Sequence, residues 1–433
     1  MLIIYRFLTF VLYPLLIILI NLRVLLKKED RTRYKEKIFS SAFNVNRSSN
    51  NKLIWFHAAS IGETLSILPL ISEINNYNKN IDYLITTVTL SSSTLIKNKI
   101  KKNKDINISH RFLPLDIDFL AEKFLNEWKP NMVCFVDSEI WPNFLFKIKV
   151  KKIPLVLING RITEKTFRKW NIFPNFAKKV FANFDLCLAC SKTSESILKE
   201  FQIKKLLYFG NLKFTAKIKK ENLNKSDIKI LDTYKVWCAA STHRGEEVFA
   251  LKTHIEIKKK YKKILTVVVP RHINRVPHIQ KLTTQFKLKS QILNENDMIQ
   301  DNKEILIINS FGTLSKYFNY CKNVFVGKSL IKGLQHTGGQ NPIEPAKFGC
   351  KVYFGPYVYN FQEVYDFLEN NKMAEQINNE HELSKKIIKN FEEQKETNHQ
   401  NVTLLDNYGD KILQNTIIEL NKLTRIKNEN IET

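Results

Sequence analysis

The sequence predicts two successive α/β domains of the doubly wound kind behind an apolar N-terminal helix. Three observations carry this expectation. Short apolar runs alternate with amphipathic stretches from Lys52 onward, as parallel strands and crossover helices require. That pattern breaks off in a polar stretch at residues 221–232 and then starts again. The length of 433 residues is too great for one core and suits two domains of about 200 residues each.

The chain opens on Phe7–Leu22, uncharged and almost wholly apolar, between Arg6 and Arg23. As a helix this run is about 24 Å long, short of a hydrocarbon core of about 30 Å. Snorkelling by the flanking arginines extends its reach, and Pro14 is tolerated in a membrane. Residues 1–26 are therefore expected to be a retained anchor, either spanning the bilayer or lying in its interface. No small-residue cleavage site follows the run. Residues 27–51 form a basic flank, with Lys27, Lys28, Arg31, Arg33, Lys35 and Lys37. Positive flanks mark the cytoplasmic side, so the body of the chain is expected there.

The first domain, expected over 52–220, begins with Leu53–Phe56 as a buried strand. Gly62–Asn75 follows as a helix with Leu65, Leu68, Ile71 and Ile74 on one face. Asp82–Val88, Met132–Val136, Pro154–Ile158 and Leu186–Ala189 continue the strand series. After the linker the second domain, 233–433, offers Val236–Ala240, Leu265–Val269, Glu304–Ile308, Asn323–Val326 and Lys351–Phe354. Its tail from Glu380 to Lys427 reads as charged helix. In such sheets ligands sit at the carboxyl ends of the strands, so the motifs there matter most.

Composition narrows the function. The formal charge of +26, from 68 Lys and Arg against 42 Asp and Glu, admits nucleic acid, an anionic membrane or a phosphorylated substrate as partner. Abundant Lys, Asn and Ile throughout also raise the charge by composition alone. No Arg-rich or aromatic-interleaved basic motif is present, so nucleic acid ranks last. The six cysteines are scattered, Cys134, Cys187 and Cys190 within apolar runs, and Cys187–Cys190 lacks the second pair that a zinc site needs. Neither G-x-G-x-x-G nor G-x-x-x-x-G-K-[ST] occurs, against a dinucleotide oxidoreductase and a P-loop NTPase.

Six segments at strand ends carry the chemistry. In His57-Ala-Ala-Ser60-Ile-Gly-Glu63, Ser60 can cap the next helix, and Glu63 is either a first-turn carboxylate answering the helix dipole or a base for a hydroxyl. Asp137-Ser-Glu139 with Trp141 and Pro142 forms a rigid acidic edge, capping or functional. Lys213 follows another strand exit, where it can neutralise a leaving phosphate or stand solvated. His243 and Arg271 follow two strands of the second half, and Arg271 suits bidentate phosphate contact. Gly338-Gly339-Gln-Asn341-Pro342-Ile343-Glu344 leads into a helix whose N–H groups can hold an anion, with Glu344 in reach of a ribose diol.

Together Trp55–Glu63, Glu139–Asn143, Gly210–Phe214, Ala240–His243, Val269–His272 and Gly338–Glu344 resemble, in order, the 3-deoxy-D-manno-octulosonic acid (Kdo) transferases of lipopolysaccharide assembly. The resemblance implies a GT-B fold, two Rossmann-like domains facing a cleft. The first would bind the acceptor and the second CMP-Kdo. It implies transfer of Kdo from CMP-Kdo to the lipid A precursor (lipid IVA) at the cytoplasmic face of the inner membrane. Inversion follows from the family, with no cofactor and no metal. Carried over by position, Glu63 is the proton acceptor, and Asp137 and Lys213 stabilise the transition state. Pro270, Arg271, Phe311, Gly312, Thr313, Asn341, Pro342, Ile343 and Glu344 bind CMP-Kdo, with Ser60, Glu139, His243 and Gly339 in secondary roles. The sequence departs from the family in having Asp137 for a common Glu, Arg244 for Glu and Gln340 for His. The stretch Lys332–Thr337 is also longer. A GT-B transferase using a nucleoside diphosphate sugar and a non-catalytic phospholipid-binding membrane protein are the competing readings.

Overall fold

A computed structural model describes residues 1–43, 45, 51–102, 105–218, 221–310, 312–334, 338–393 and 399–424. Phe311 and residues 335–337 of the longer stretch, both singled out above, lie outside the described residues. The chain divides into two compact units, Met1–Ala216 with Tyr408–Thr433, and Lys217–Asn407.

Unit 1 holds a parallel sheet of β1 (Lys52–His57), β2 (Ile81–Thr87), β3 (Ile108–Phe112), β4 (Met132–Val136), β5 (Leu155–Gly160), β6 (Leu186–Ala189) and β7 (Leu206–Tyr208). Their spatial order is β3-β2-β1-β4-β5-β6-β7. The chain leaves the β3 edge and re-enters beside β1, so the topological switch lies between β1 and β4. There His57 is in register with Thr86 on one side and Phe135 on the other. Central strands are buried throughout, as a sheet covered on both faces demands. Below them Trp55 meets Phe124, Phe135 and Phe144 at ring separations of 5.0, 5.6 and 5.6 Å, the tilted and edge-on distances at which aromatic rings attract.

Two helices of unit 1 carry segments singled out in the sequence. The N-terminal helix α1 spans Leu2–Leu25, longer at both ends than the uncharged run. Helix α2 spans Ile61–Tyr77 and buries Ile67, Leu70, Ile71 and Ile74, while Leu65 is exposed. The buried stripe thus runs i, i+3, i+4, i+7 from Ile67, one step round from the expected face.

Unit 2 repeats the plan. Its strands are β8 (Lys235–Thr242), β9 (Ile264–Pro270), β10 (Ser290–Leu293), β11 (Ile305–Ile308), β12 (Asn323–Val326), β13 (Lys351–Phe354) and β14 (Ala374–Gln376). The order β10-β11-β9-β8-β12-β13-β14 places the switch between β8 and β12.

The division differs from the expected domain limits in three places. The described residues of the basic flank after α1, up to Phe43, belong to unit 1 and are not a segment apart from it. Lys37 is buried against Glu29 at 2.6 Å, and Glu36 accepts the Phe112 N–H at 2.8 Å, so part of the basic run is neutralised. Unit 2 begins at Lys217, and within the expected linker Lys225–Leu231 is helical, with buried Asp227 accepting the Ile299 N–H. The final helix, His399–Thr424, passes to unit 1 from Tyr408 onward. Tyr408 stacks edge-on to Phe214, and Ile412, Leu413, Ile417 and Leu420 are buried.

Candidate active site

The unit 1 site grows from the start of α2. Ser60 is the N-cap, accepting the Glu63 N–H at 3.3 Å, and Glu63 reaches back in a capping box. One Glu63 oxygen accepts the Ala59 N–H at 2.7 Å, and the other accepts the Ser60 hydroxyl at 2.6 Å. Both alternatives read from the sequence meet here, because the capping bonds hold the carboxylate still at the carboxyl end of β1. A Cβ on Gly62 would meet nothing nearer than Ser60 Oγ at 4.0 Å, so the helix start leaves space. Burial and then the nearby Asp137 charge push the Glu63 carboxyl above its ordinary value, with Glu139 adding to the rise.

Across the switch, β4 delivers Asp137 in a left-handed conformation at φ 56°. Asp137 accepts from Asn159 Nδ2 at 2.5 Å and pairs with Lys213 Nζ at 3.5 Å. Asn159, itself left-handed at φ 54° in the irregular stretch of β5, accepts the Leu212 N–H at 2.8 Å through its other amide atom. One buried amide therefore fixes both the acid and the loop that bears Lys213. Two left-handed non-glycine residues at adjacent strand ends are backbone strain placed at a site.

Glu139 has a separate task. It accepts from His57 Nε2 at 3.1 Å and Trp141 Nε1 at 2.8 Å, while His57 Nδ1 meets Thr86 Oγ1 at 2.9 Å. Burial raises its carboxyl, but the His57 and Trp141 donors outweigh burial and hold it below the ordinary value. It is an ionised acceptor spent on positioning the β1 exit.

In unit 2, Glu246 opens the helix Glu246–Lys258 and is fully buried. Its carboxylate accepts four backbone N–H groups, from His243 at 2.9 Å, Lys328 at 2.7 Å, Ser329 at 3.0 Å and Leu330 at 3.1 Å. It thereby ties the β8 exit to the β12 exit across the switch. Gly327 has no room for a side chain, since a Cβ there would lie 2.7 Å from both Glu246 Oε2 and the Ser241 carbonyl oxygen. The Gly339 N–H donates to the Lys328 carbonyl at 2.6 Å, bringing the glycine pair to the same place. Its φ of 92° disfavours any side chain, and a Cβ at this position would lie 3.1 Å from the Val358 backbone.

Arg271 stands exposed at the β9 exit, its N–H donating to the Thr242 carbonyl at 3.0 Å. His243 faces His272 with ring centres 5.9 Å apart. Burial, then Lys328, His272 and Arg271, outweigh the bond to the Ser241 carbonyl and push the His243 ring below its ordinary value, leaving it neutral at pH 7. Thr313 is buried and meets Ser310 Oγ at 2.8 Å at the β11 exit, after Gly312 at φ 78°. Asn341 Oδ1 accepts the Ile343 N–H at 3.1 Å. Pro342 and Ile343 are buried, whereas Glu344 is exposed.

A family described as 3-Deoxy-D-manno-octulosonic-acid transferase (kdotransferase) matches residues 32–216. The 3-deoxy-D-manno-octulosonic acid transferase of Rickettsia bellii is 30% identical over 382 residues, 88% of each chain. The chain belongs to the Kdo transferase family. It is accordingly a glycosyltransferase. The Haemophilus influenzae 3-deoxy-D-manno-octulosonic acid transferase is 28% identical over 321 residues, 73% of each chain. A glycosyltransferase structure from Rickettsia africae superposes with a TM-score of 0.58 at 12% identity, covering 88% of this chain and all of that one, which fixes the GT-B-like fold class alone.

Within this Kdo transferase, unit 1 gathers Ser60, Glu63, Asp137, Glu139 and Lys213 at one switch. Unit 2 gathers His243, Pro270, Arg271 and Gly339 at the other, with Gly312 and Thr313 past the exit of β11, the strand beside β9. The helix Ile343–Lys347 is only five residues long, so its N–H groups act locally rather than through a long dipole. Among the described residues no group of three His, Cys, Asp or Glu is placed to hold a metal ion. The six cysteines are buried free thiols. Asn159 and the separate role of Glu246 are not apparent from the sequence. Each interrupts an apolar pattern at a strand end or opens a helix, the one local sign of its role.

Proposed function

We propose that the chain transfers Kdo from CMP-Kdo to the lipid A precursor at the cytoplasmic face of the inner membrane, without a metal and with inversion. The observation that carries this reading is Glu63, an oriented carboxylate of raised basicity at the β1/β4 switch of a Kdo transferase. Glu63 takes the proton of the acceptor sugar hydroxyl as that oxygen bonds the anomeric carbon of Kdo. The bond from that carbon to the phosphate oxygen breaks, and CMP leaves with the electron pair. A single displacement of this kind inverts the carbon.

Asp137 and Lys213 act as one unit on the developing charge, held together by Asn159. Pro270, Arg271, Gly312, Thr313 and Asn341–Glu344 take CMP, with Arg271 suited to the phosphate by its planar fork of donors. One phosphate in the leaving group needs no bridging cation. The α1 helix and the lysines after it hold the enzyme at the anionic membrane where its acceptor resides.

Incubation with CMP-Kdo and lipid IVA tests the proposal. Mass analysis should show the lipid heavier by whole Kdo residues, with CMP released in equal number. Transfer from a uridine diphosphate sugar but not from CMP-Kdo would overturn the donor assignment.

A further inference from the structure

Resting on the membrane reading above, we propose that α1 lies flat in the membrane surface, fixed along its length to unit 1, and does not cross the bilayer. Tyr5, Thr9, Tyr13, Leu16 and Ile20 form one face of the helix, partly or wholly shielded from solvent, with spacings of three and four. From Tyr5 to Ile20 that face runs about 22 Å. The Tyr5 hydroxyl donates to Asp116 Oδ2 at 2.7 Å, and Arg6 pairs with Asp118 at 2.8 Å. Asn143 donates to Thr9 Oγ1 at 3.5 Å, and the Tyr13 hydroxyl donates to the Ile38 carbonyl. Tyr13 and Leu16 also pack against the core of unit 1, and the Tyr13 ring sits edge-on to Phe119 at 5.3 Å.

These partners decide the orientation. A spanning α1 would carry Asp116, Asp118 and Asn143 alongside it into hydrocarbon. Each such carboxylate costs at least about 2.5 kcal/mol at mid-bilayer. Asp116 moreover accepts the first-turn N–H groups of Asn143 and Phe144 at 3.0 Å each, so it cannot move away without uncapping the helix Pro142–Val150. The outward face fits a lipid surface instead. Phe7, Phe10, Val11, Leu15, Ile18 and Leu22 are all exposed, and nothing charged interrupts them. The helix runs out into exposed Lys27, Lys28, Arg31 and Lys35, which make no ion pair among the described residues, whereas Arg23, Arg33 and Lys37 are held by Glu29 and Glu36. An apolar stripe ending in free cations is the pattern that binds an interface of anionic lipid.

Single spin labels at Ile4, Val11 and Ile18 in the full chain test this. All three side chains are exposed on α1 and are spaced by whole heptads, so they share the outward face. Depth is read by electron paramagnetic resonance in vesicles of phosphatidylethanolamine with phosphatidylglycerol. The expected result is three similar shallow depths, with binding weakened in vesicles lacking the anionic lipid. Successive depths differing by roughly 10 Å, as a helix along the bilayer normal requires, would overturn the flat orientation while leaving the membrane reading intact. Three labels left in water with vesicles present would overturn both. Unlabelled protein assayed for flotation with the same vesicles separates that last result from damage by the label.

Discussion

At the scale of single residues, the Glu63 carboxyl links the helix cap to the proposed base and its expected pH response. Its pKa lies above the ordinary value because of burial and then Asp137. In the proposed role Glu63 must be ionised to act, so activity is expected to fall as pH drops through this raised value. The linked effect on stability has the opposite sense. The folded chain binds this proton more tightly than the unfolded one, so the contribution of Glu63 is present at low pH and fades as pH rises through the folded pKa. Asp137→Asn removes one cause of the rise, so the residual activity of that variant should keep its acid limb at lower pH than wild type. A limb unmoved or moved upward would contradict the electrostatic link. Glu63 was legible in the sequence as a helix-start carboxylate, whereas its hydrogen bonds to Ala59 and Ser60 are matters of geometry. Asn159 was not legible, because an Asn inside Leu-Val-Leu-Ile-Asn-Gly reads as the end of a strand. Its left-handed backbone and its two partners, far apart in sequence, appear only when β4, β5 and the Lys213 loop come together.

At the scale of elements, the strands legible in the sequence are the interior ones. The four given no bounds there, β3, β7, β10 and β14, are the four sheet edges, and of these only β7 was signalled, as the strand exit before Lys213. The reason is physical: interior strands are covered on both faces and become unbroken apolar runs, while β7 has no fully buried residue and β10 only one. The half-exposed edge has no comparable signal. The β8/β12 switch in unit 2 depends on Glu246 satisfying four backbone N–H groups from two loops. Glu246→Ala would strand those donors, and the expected loss is roughly 3 kcal/mol or more, since each buried unpaired group costs about 1–3 kcal/mol. Thermal or denaturant unfolding monitored on unit 2 measures it. A variant within about 0.5 kcal/mol of wild type, the range of ordinary surface changes, would show that the loops hold without the carboxylate.

At the scale of the whole molecule, the two-fold repetition of a doubly wound sheet was legible from periodicity, and the family from six motifs in order. The fate of the last helix was not. Its charged, amphipathic sequence announces a helix but not the surface that receives it. The side chain of Ile412 and the hydroxyl of Tyr408 both lie where a Cβ on Gly210 would have to go, so the loop leading to Lys213 and this helix are fitted to one another. Buried Leu413, Ile417 and Leu420 add apolar area that unit 1 would otherwise expose to water. Truncation before Tyr408 should therefore lower the melting temperature of unit 1 and expose hydrophobic surface to dye. An unchanged melting profile would mean that the helix is dispensable.

The central claim is that Glu63 is the base of a Kdo transfer, and Glu63→Gln tests it most directly because the amide keeps the shape of the cap. The measurement is single-turnover release of CMP from CMP-Kdo in the presence of lipid IVA, alongside CMP binding by the same variant. The expected result is a rate lower by about 100-fold to 10,000-fold, the usual contribution of a positioned base, with CMP binding unchanged. Near wild-type turnover, or loss of turnover only in step with loss of CMP binding, would contradict it.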